Sequence, residues 1–116
     1  MIDDLLRHNL FPAPAVRVPP PPAALDEVVL ESAAGDHVVC WAGGASTAGT
    51  RPVALLFHGN GENLETMRRA RLYAALGRLR LAWLAVDYPG YGRSTGEPSE
   101  ESLAAAADAA LAWARR

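Results

Sequence analysis

A chain of 116 residues, half of them hydrophobic and about a fifth charged, suffices for one small globular domain and not for two. Its formal charge of −2 leaves no basic excess to hold a phosphate backbone, so nucleic acid is not an expected partner. All 11 basic residues are Arg, which excludes a Lys-dependent phosphate loop and Schiff-base chemistry.

The N-terminus "MIDDLLRHNLFPAP" opens with Asp3 and Asp4, has no long apolar stretch, and breaks at Pro12 and Pro14, which is a poor signal peptide. No run approaches membrane-spanning length. Cys40 is the single cysteine and permits no internal disulfide, so a soluble, cytoplasmic protein is expected, with the Ala, Arg, Gly and Pro richness of a GC-rich bacterial gene. Proline density through "FPAPAVRVPPPPAAL" imposes extended backbone and removes amide donors, so residues 1–24 read as an arm ahead of a domain over 25–116.

Within that domain, "LDEVVLES" and "HVVCWA" read as two antiparallel strands joined by a turn containing Gly35. Cys40 sits in the second apolar run, as a buried strand residue does. A loop, "GGASTAGTR", follows. The run "PVALLFHG" has the continuous apolarity of a strand buried on both faces and stops at His58 and Gly59. "NLETMRRARLYAALG" sets Met67, Ala70, Tyr73, Ala74 and Gly77 near helical spacing, with Asn63 as N-cap and Gly77 as the expected C-terminal cap. "LRLAWLAVDY" is a further buried strand.

The last segment, "PSEESLAAAADAALAWARR", is the clearest helix. Ser99 is a suitable N-cap, Glu100 and Glu101 sit where the helix dipole favours anions, and Leu103, Ala106, Ala107, Ala110 and Ala114 form one packing stripe. A hairpin followed by strand, helix, strand, helix predicts an α/β fold with parallel pairing.

Gly92 to Gly96 spells G-x-S-x-G, the pattern of a serine nucleophile. A nucleophile elbow is a sharp strand-to-helix turn, but here the apolar run ends at Val86, eight positions before Ser94, and Pro98 separates Ser94 from the helix. No histidine follows Ser94 in the chain, so a downstream base is absent from it. Ser94 and Thr95 therefore read as loop residues whose hydroxyls bond backbone. Gly90, Gly92 and Gly96 miss the spacing of a dinucleotide loop by one place, and His8, His37 and His58 lack metal-ligand spacing.

"LLFHGNGEN" followed by "AVDYPGYGRSTGEPSEESL" resembles strands 3 and 4 of the α/β-hydrolase fold, in particular its small serine esterases and acyl hydrolases. The resemblance runs from about Leu25 to Arg116 and implies the N-terminal portion of that sheet, ending before strand 5 with its nucleophile and before the acid and the catalytic histidine. It implies a cofactor-free parent chemistry, hydrolysis of esters, thioesters or amides of small acyl substrates. It also implies that the backbone N–H of Asn60 belongs to an oxyanion hole, that Gly61 lets the backbone approach substrate, and that His58 supports this loop and is not the base. A segment of this kind is expected to be inactive alone, being the first half of a hydrolase, one chain of a split enzyme, or a non-catalytic interaction module. In the family's strand order the edge "VALLF" pairs with the missing strand, so pairing through that edge is expected.

Overall fold

The computed structural model describes residues 10–13, 16–44 and 52–116. The readings at Asp3, Asp4, His8 and Pro14, and most of the 43–51 loop, lie outside the described residues.

Strands β1 (Asp26–Glu31) and β2 (His37–Gly43) form the expected antiparallel hairpin. Ser32 accepts from the Gly35 amide and donates its own amide to Asp36, and Gly35 takes φ +86°, a value glycine reaches without a Cβ clash. Strand β3 (Val53–Phe57) pairs in parallel with β4 (Ala82–Val86), and β4 in turn pairs antiparallel with β2, giving the order β1-β2-β4-β3. Parallel pairing requires a crossover, which helices α1 (Leu64–Arg69) and α2 (Leu72–Arg78) supply. Helix α3 (Glu100–Ala114) follows β4.

The period of two along the central strands sorts the core into two layers. Val39, Trp41, Trp83 and Ala85 face α1 and α2, meeting Leu64, Met67 and Tyr73. Val38, Cys40, Ala42, Leu84 and Val86 point the other way, onto Ala106 and Ala110 of α3. Tyr73 stacks on Trp83 with ring centroids 4.5 Å apart, meets Trp41 edge-on at 6.0 Å, and donates its hydroxyl to the Leu64 carbonyl. Burial pushes the Cys40 thiol up to about 12, which keeps it a neutral packing group.

Helix α3 begins as expected. The Ser99 hydroxyl accepts from the Ser102 amide, the Ser102 hydroxyl accepts from the Ser99 amide, and Glu100 and Glu101 occupy the first turn. Its small residues let the helix lie close to the sheet, with Ala106 and Ala110 fully buried.

Three expectations are corrected. The run after His58 is two helices, broken at Arg71, which takes φ +62°. In one continuous helix Tyr73, six positions after Met67, would point about 120° away from it; the break turns both onto the sheet, while Ala70 and Ala74 are exposed. Gly77 does not end the second helix. Arg80, at φ +55°, takes the left-handed position, with its amide on the Gly77 carbonyl and the Leu81 amide on the Leu76 carbonyl. Strand β3 is not buried on both faces: it is the outer strand of the described sheet, Val53 to Leu56 are half-buried, and Phe57 is 41% exposed.

Candidate functional site

The C-terminal ends of the parallel strands β3 and β4 lie side by side and launch the two loops that carry the sequence motifs. After β3, the Glu62 amide bonds the Gly59 carbonyl and closes a four-residue turn over Gly59–Glu62. Gly61 holds φ +75° at its third position, where this type of turn requires a positive value. Gly61 donates its amide to the Pro12 carbonyl at 2.9 Å. Asn60 is exposed, and among the described residues its amide donates to no protein acceptor. Among the described residues, chain neighbours aside, no atom lies within 4 Å of where a Cβ on Gly61 would stand, which leaves that side of the backbone open.

Beneath the turn lies a buried polar pair. The side chains of His58 and Asp87 are both fully buried, and His58 Nε2 stands 3.1 Å from Asp87 Oδ1. That separation suits an ion pair, but the ring N–H is poorly aligned for a hydrogen bond, and Oδ2 has no hydrogen-bond partner among the described residues. Asp87 Oδ1 instead accepts from the Leu64 amide at the start of α1. The His58 ring also packs against Tyr88 and Tyr91, at centroid distances of 4.4 and 5.1 Å. Burial raises both phenols above their usual range, so they are neutral donors at physiological pH, and Tyr88 donates to the His58 carbonyl at 2.8 Å.

Asn63 caps α1 as the sequence predicts. Its Oδ1 accepts from the Glu65 and Thr66 amides, the Thr66 hydroxyl accepts from its amide, and its Nδ2 donates to the Val16 carbonyl of the arm. Glu65, buried beside it, is held below the ordinary carboxylate range chiefly by its hydrogen bond from Arg68, with Arg69 adding a second partner.

Ser94 is buried, and its hydroxyl is fully engaged. Oγ accepts from the Val39 amide at 2.8 Å and donates to the Asp87 carbonyl at 2.7 Å, while the Thr95 hydroxyl accepts from the His37 amide. The loop thereby laces the ends of β2 and β4 together, as expected of hydroxyls that bond backbone. Ser94→Ala should cost about 1–3 kcal/mol, because it leaves a buried amide and carbonyl unpaired; thermal melting of the variant measures it.

Sequence reasoning missed Asp87 as the junction of this region. Its amide bonds the Val39 carbonyl, its carbonyl receives Ser94, and its carboxyl reaches both His58 and Leu64. A buried acid directly after an apolar strand was the available signal. A cavity of about 720 Å³ lies between the arm and the β4 loop, walled by Val16, Arg17, Glu65, Arg69 and Arg93, and neither Asn60 nor Gly61 lines it. Among the described residues no helix is long and apolar enough to cross a membrane.

The fold of the chain recurs in solved structures. The Pyrococcus furiosus esterase Pf2001 superposes with a TM-score of 0.64 at 15% identity, over 87% of this chain and 41% of the esterase. A predicted CIB-like hydrolase from Thermoplasma acidophilum superposes with a TM-score of 0.51 at 27% identity, over 66% of this chain and 35% of that one. The chain is thus the N-terminal portion of an α/β-hydrolase fold.

Among curated proteins, an uncharacterized Mycobacterium tuberculosis protein, Rv2307c, is 40% identical over 92 residues, which is 79% of this chain and 32% of that protein. Human ABHD12B is 34% identical over 76 residues, 66% of this chain and 21% of its own length. The chain therefore spans a third or less of the curated relatives it matches. No protein-family model matches it.

Proposed function

We propose that these residues form the oxyanion-hole side of a serine hydrolase acting on carboxylic esters, thioesters or amides, whose nucleophile, acid and base lie outside this segment. The observation that carries the reading is the amide of exposed Asn60, which donates to no acceptor among the described residues in the turn just after β3. A preorganised backbone donor of this kind stabilises a tetrahedral oxyanion by about 3–4 kcal/mol when a nucleophile stands opposite. Gly61 leaves the approach unobstructed, and His58 serves as loop support: with both ring nitrogens facing protein and no exposed edge, it is not the base. The Pyrococcus furiosus neighbour is described as an esterase, which supports the reaction class.

The absence of Asn60 and Gly61 from the cavity wall agrees with an acyl pocket built by other residues. The outer position of β3 and the exposure of Phe57 favour completion of the sheet by one more strand. That strand belongs to the same polypeptide in this reading; in the second reading a separate chain supplies it, either completing a split enzyme or docking on a non-catalytic module.

An antibody against the Gly92–Pro98 loop, used on native lysate, separates the two. A single species of roughly 25–35 kDa, the size of one complete domain of this kind, that also reacts with a fluorophosphonate serine probe is the expected result. A species with the mass of 116 residues overturns the one-polypeptide reading. Probe attached to Ser94 overturns the assignment of the nucleophile.

A further inference from the structure

We infer that the proline-rich arm is a positioning strap that fixes the orientation of the Asn60–Gly61 peptide, the unit next to the peptide that carries the Asn60 amide. The inference rests on the reading of Asn60 as oxyanion donor, but its structural content is testable without any substrate.

The arm touches the loop, the helix and the core in succession. The Pro12 carbonyl accepts from the Gly61 amide at 2.9 Å, and the Val16 carbonyl accepts from Asn63 Nδ2 at 2.8 Å. Val18 is buried among Trp41, Leu64 and their neighbours, and the Pro19 carbonyl accepts from Arg93, which also pairs with Glu27 of β1. The contacts of Val16 and Val18 thus hold the described part of the arm against the start of α1 and the core.

Two features of the sequence make the strap necessary. First, glycine at the third position of a four-residue turn accepts either orientation of the central peptide, because it tolerates φ of either sign. Flipping that peptide would turn the Gly61 N–H away from the arm and swing the Asn60 carbonyl round in its place. Among the described residues, chain neighbours aside, no atom lies within 4 Å of a Cβ position at Gly61, so no side-chain packing at that position opposes the flip. Among the described residues the hydrogen bond to Pro12 is the interaction that favours one orientation, and a bond of this kind shifts such an equilibrium by roughly five- to tenfold. Second, the prolines in the arm remove N–H donors, and at Pro12 and Val16 it meets the loop and the helix start with carbonyl acceptors.

The test is amide hydrogen exchange by NMR on the folded polypeptide that carries these residues. In the parent protein the Gly61 amide should exchange more slowly than Asn60. Asn63→Asp keeps the N-cap acceptor, because Asp caps as well as Asn, but replaces the donor to Val16 with an oxygen that repels the carbonyl. It should accelerate Gly61 exchange about five- to tenfold and move its amide proton upfield, with the Glu65 and Thr66 amides still protected. Val18→Ala loosens the arm without touching the helix and should act on Gly61 in the same direction. Thr66→Ala weakens the cap without touching the arm and should leave Gly61 unchanged.

A Gly61 amide already unprotected in the parent overturns the strap. So does Gly61 exchange that stays within about twofold of the parent in both Asn63→Asp and Val18→Ala, or that Thr66→Ala accelerates equally. Failure of the hydrolase reading would appear separately, as absent serine-probe labelling with Gly61 protection intact.

Discussion

Asp87→Ala is expected to destabilise the protein by about 3–5 kcal/mol, the largest effect of any single polar substitution in this fold. The carboxyl is completely buried, and its removal acts twice. His58 Nε2, already without a hydrogen bond among the described residues, loses the carboxyl oxygen 3.1 Å away while remaining buried. The Leu64 amide, one of the orphan donors at the start of α1, loses its acceptor. Each buried group left unpaired costs about 1–3 kcal/mol, and the space vacated beneath the turn adds a cavity term.

Asp87→Asn retains an oxygen for Leu64 and nearly the same volume, so it should recover a substantial part of the loss. Melting of the two variants checks this: a fall of about 10 °C or more is expected for alanine and a clearly smaller one for asparagine. Equal falls would show that the charge facing His58, and not the acceptor for Leu64, is what matters. A loss below about 1 kcal/mol for alanine would remove Asp87 from its place as the junction of the site.

Much of this architecture is legible in the sequence where the physics is local. Continuous apolarity in "HVVCWA" and "LAWLAV" foretells strands, and the capping residues Asn63 and Ser99 mark the starts of α1 and α3 through bonds made within three residues. Ser94 could be separated from a nucleophile by spacing alone. What spacing could not supply was its partners, because Val39 lies 55 positions earlier and only pairing of β2 with β4 brings it near. The break between α1 and α2 was hidden for a different reason. Left-handed backbone at Arg71 and Arg80 has no residue signature, and Gly77, the residue that advertises such a turn, sits inside the helix. The burial of β3 was overestimated because an apolar run records what a strand meets in its complete sheet, and in the described sheet β3 has one neighbour. The arm gave no hint of docking, since its contacts are carbonyl oxygens and one valine.

Gly92→Ala and Gly61→Ala separate two costs that a sequence reading merges. Both glycines have positive φ, +54° and +75°, and alanine in that region costs about 1–2 kcal/mol wherever it occurs. At Gly61 nothing stands within 4 Å of the new methyl, so the dihedral cost should be the whole effect. At Gly92 the methyl would lie 2.1 Å from Asp87 Oδ2 and 3.0 Å from Val18 Cγ2. Neither can retreat. The Asp87 carboxyl is held by Leu64 and faces His58, and Val18 is wedged into the core at the end of the arm. Overpacking of this kind adds about 1–3 kcal/mol, so Gly92→Ala should cost about 2–5 kcal/mol against 1–2 for Gly61→Ala. Melting both variants side by side supplies the check, and equal losses would mean that the Asp87–Val18 contact yields more readily than its bonds imply. The unequal result would show what the second glycine of "PGYG" supplies: the space that lets a buried carboxyl, the arm and the β4 loop converge behind the Asn60 turn.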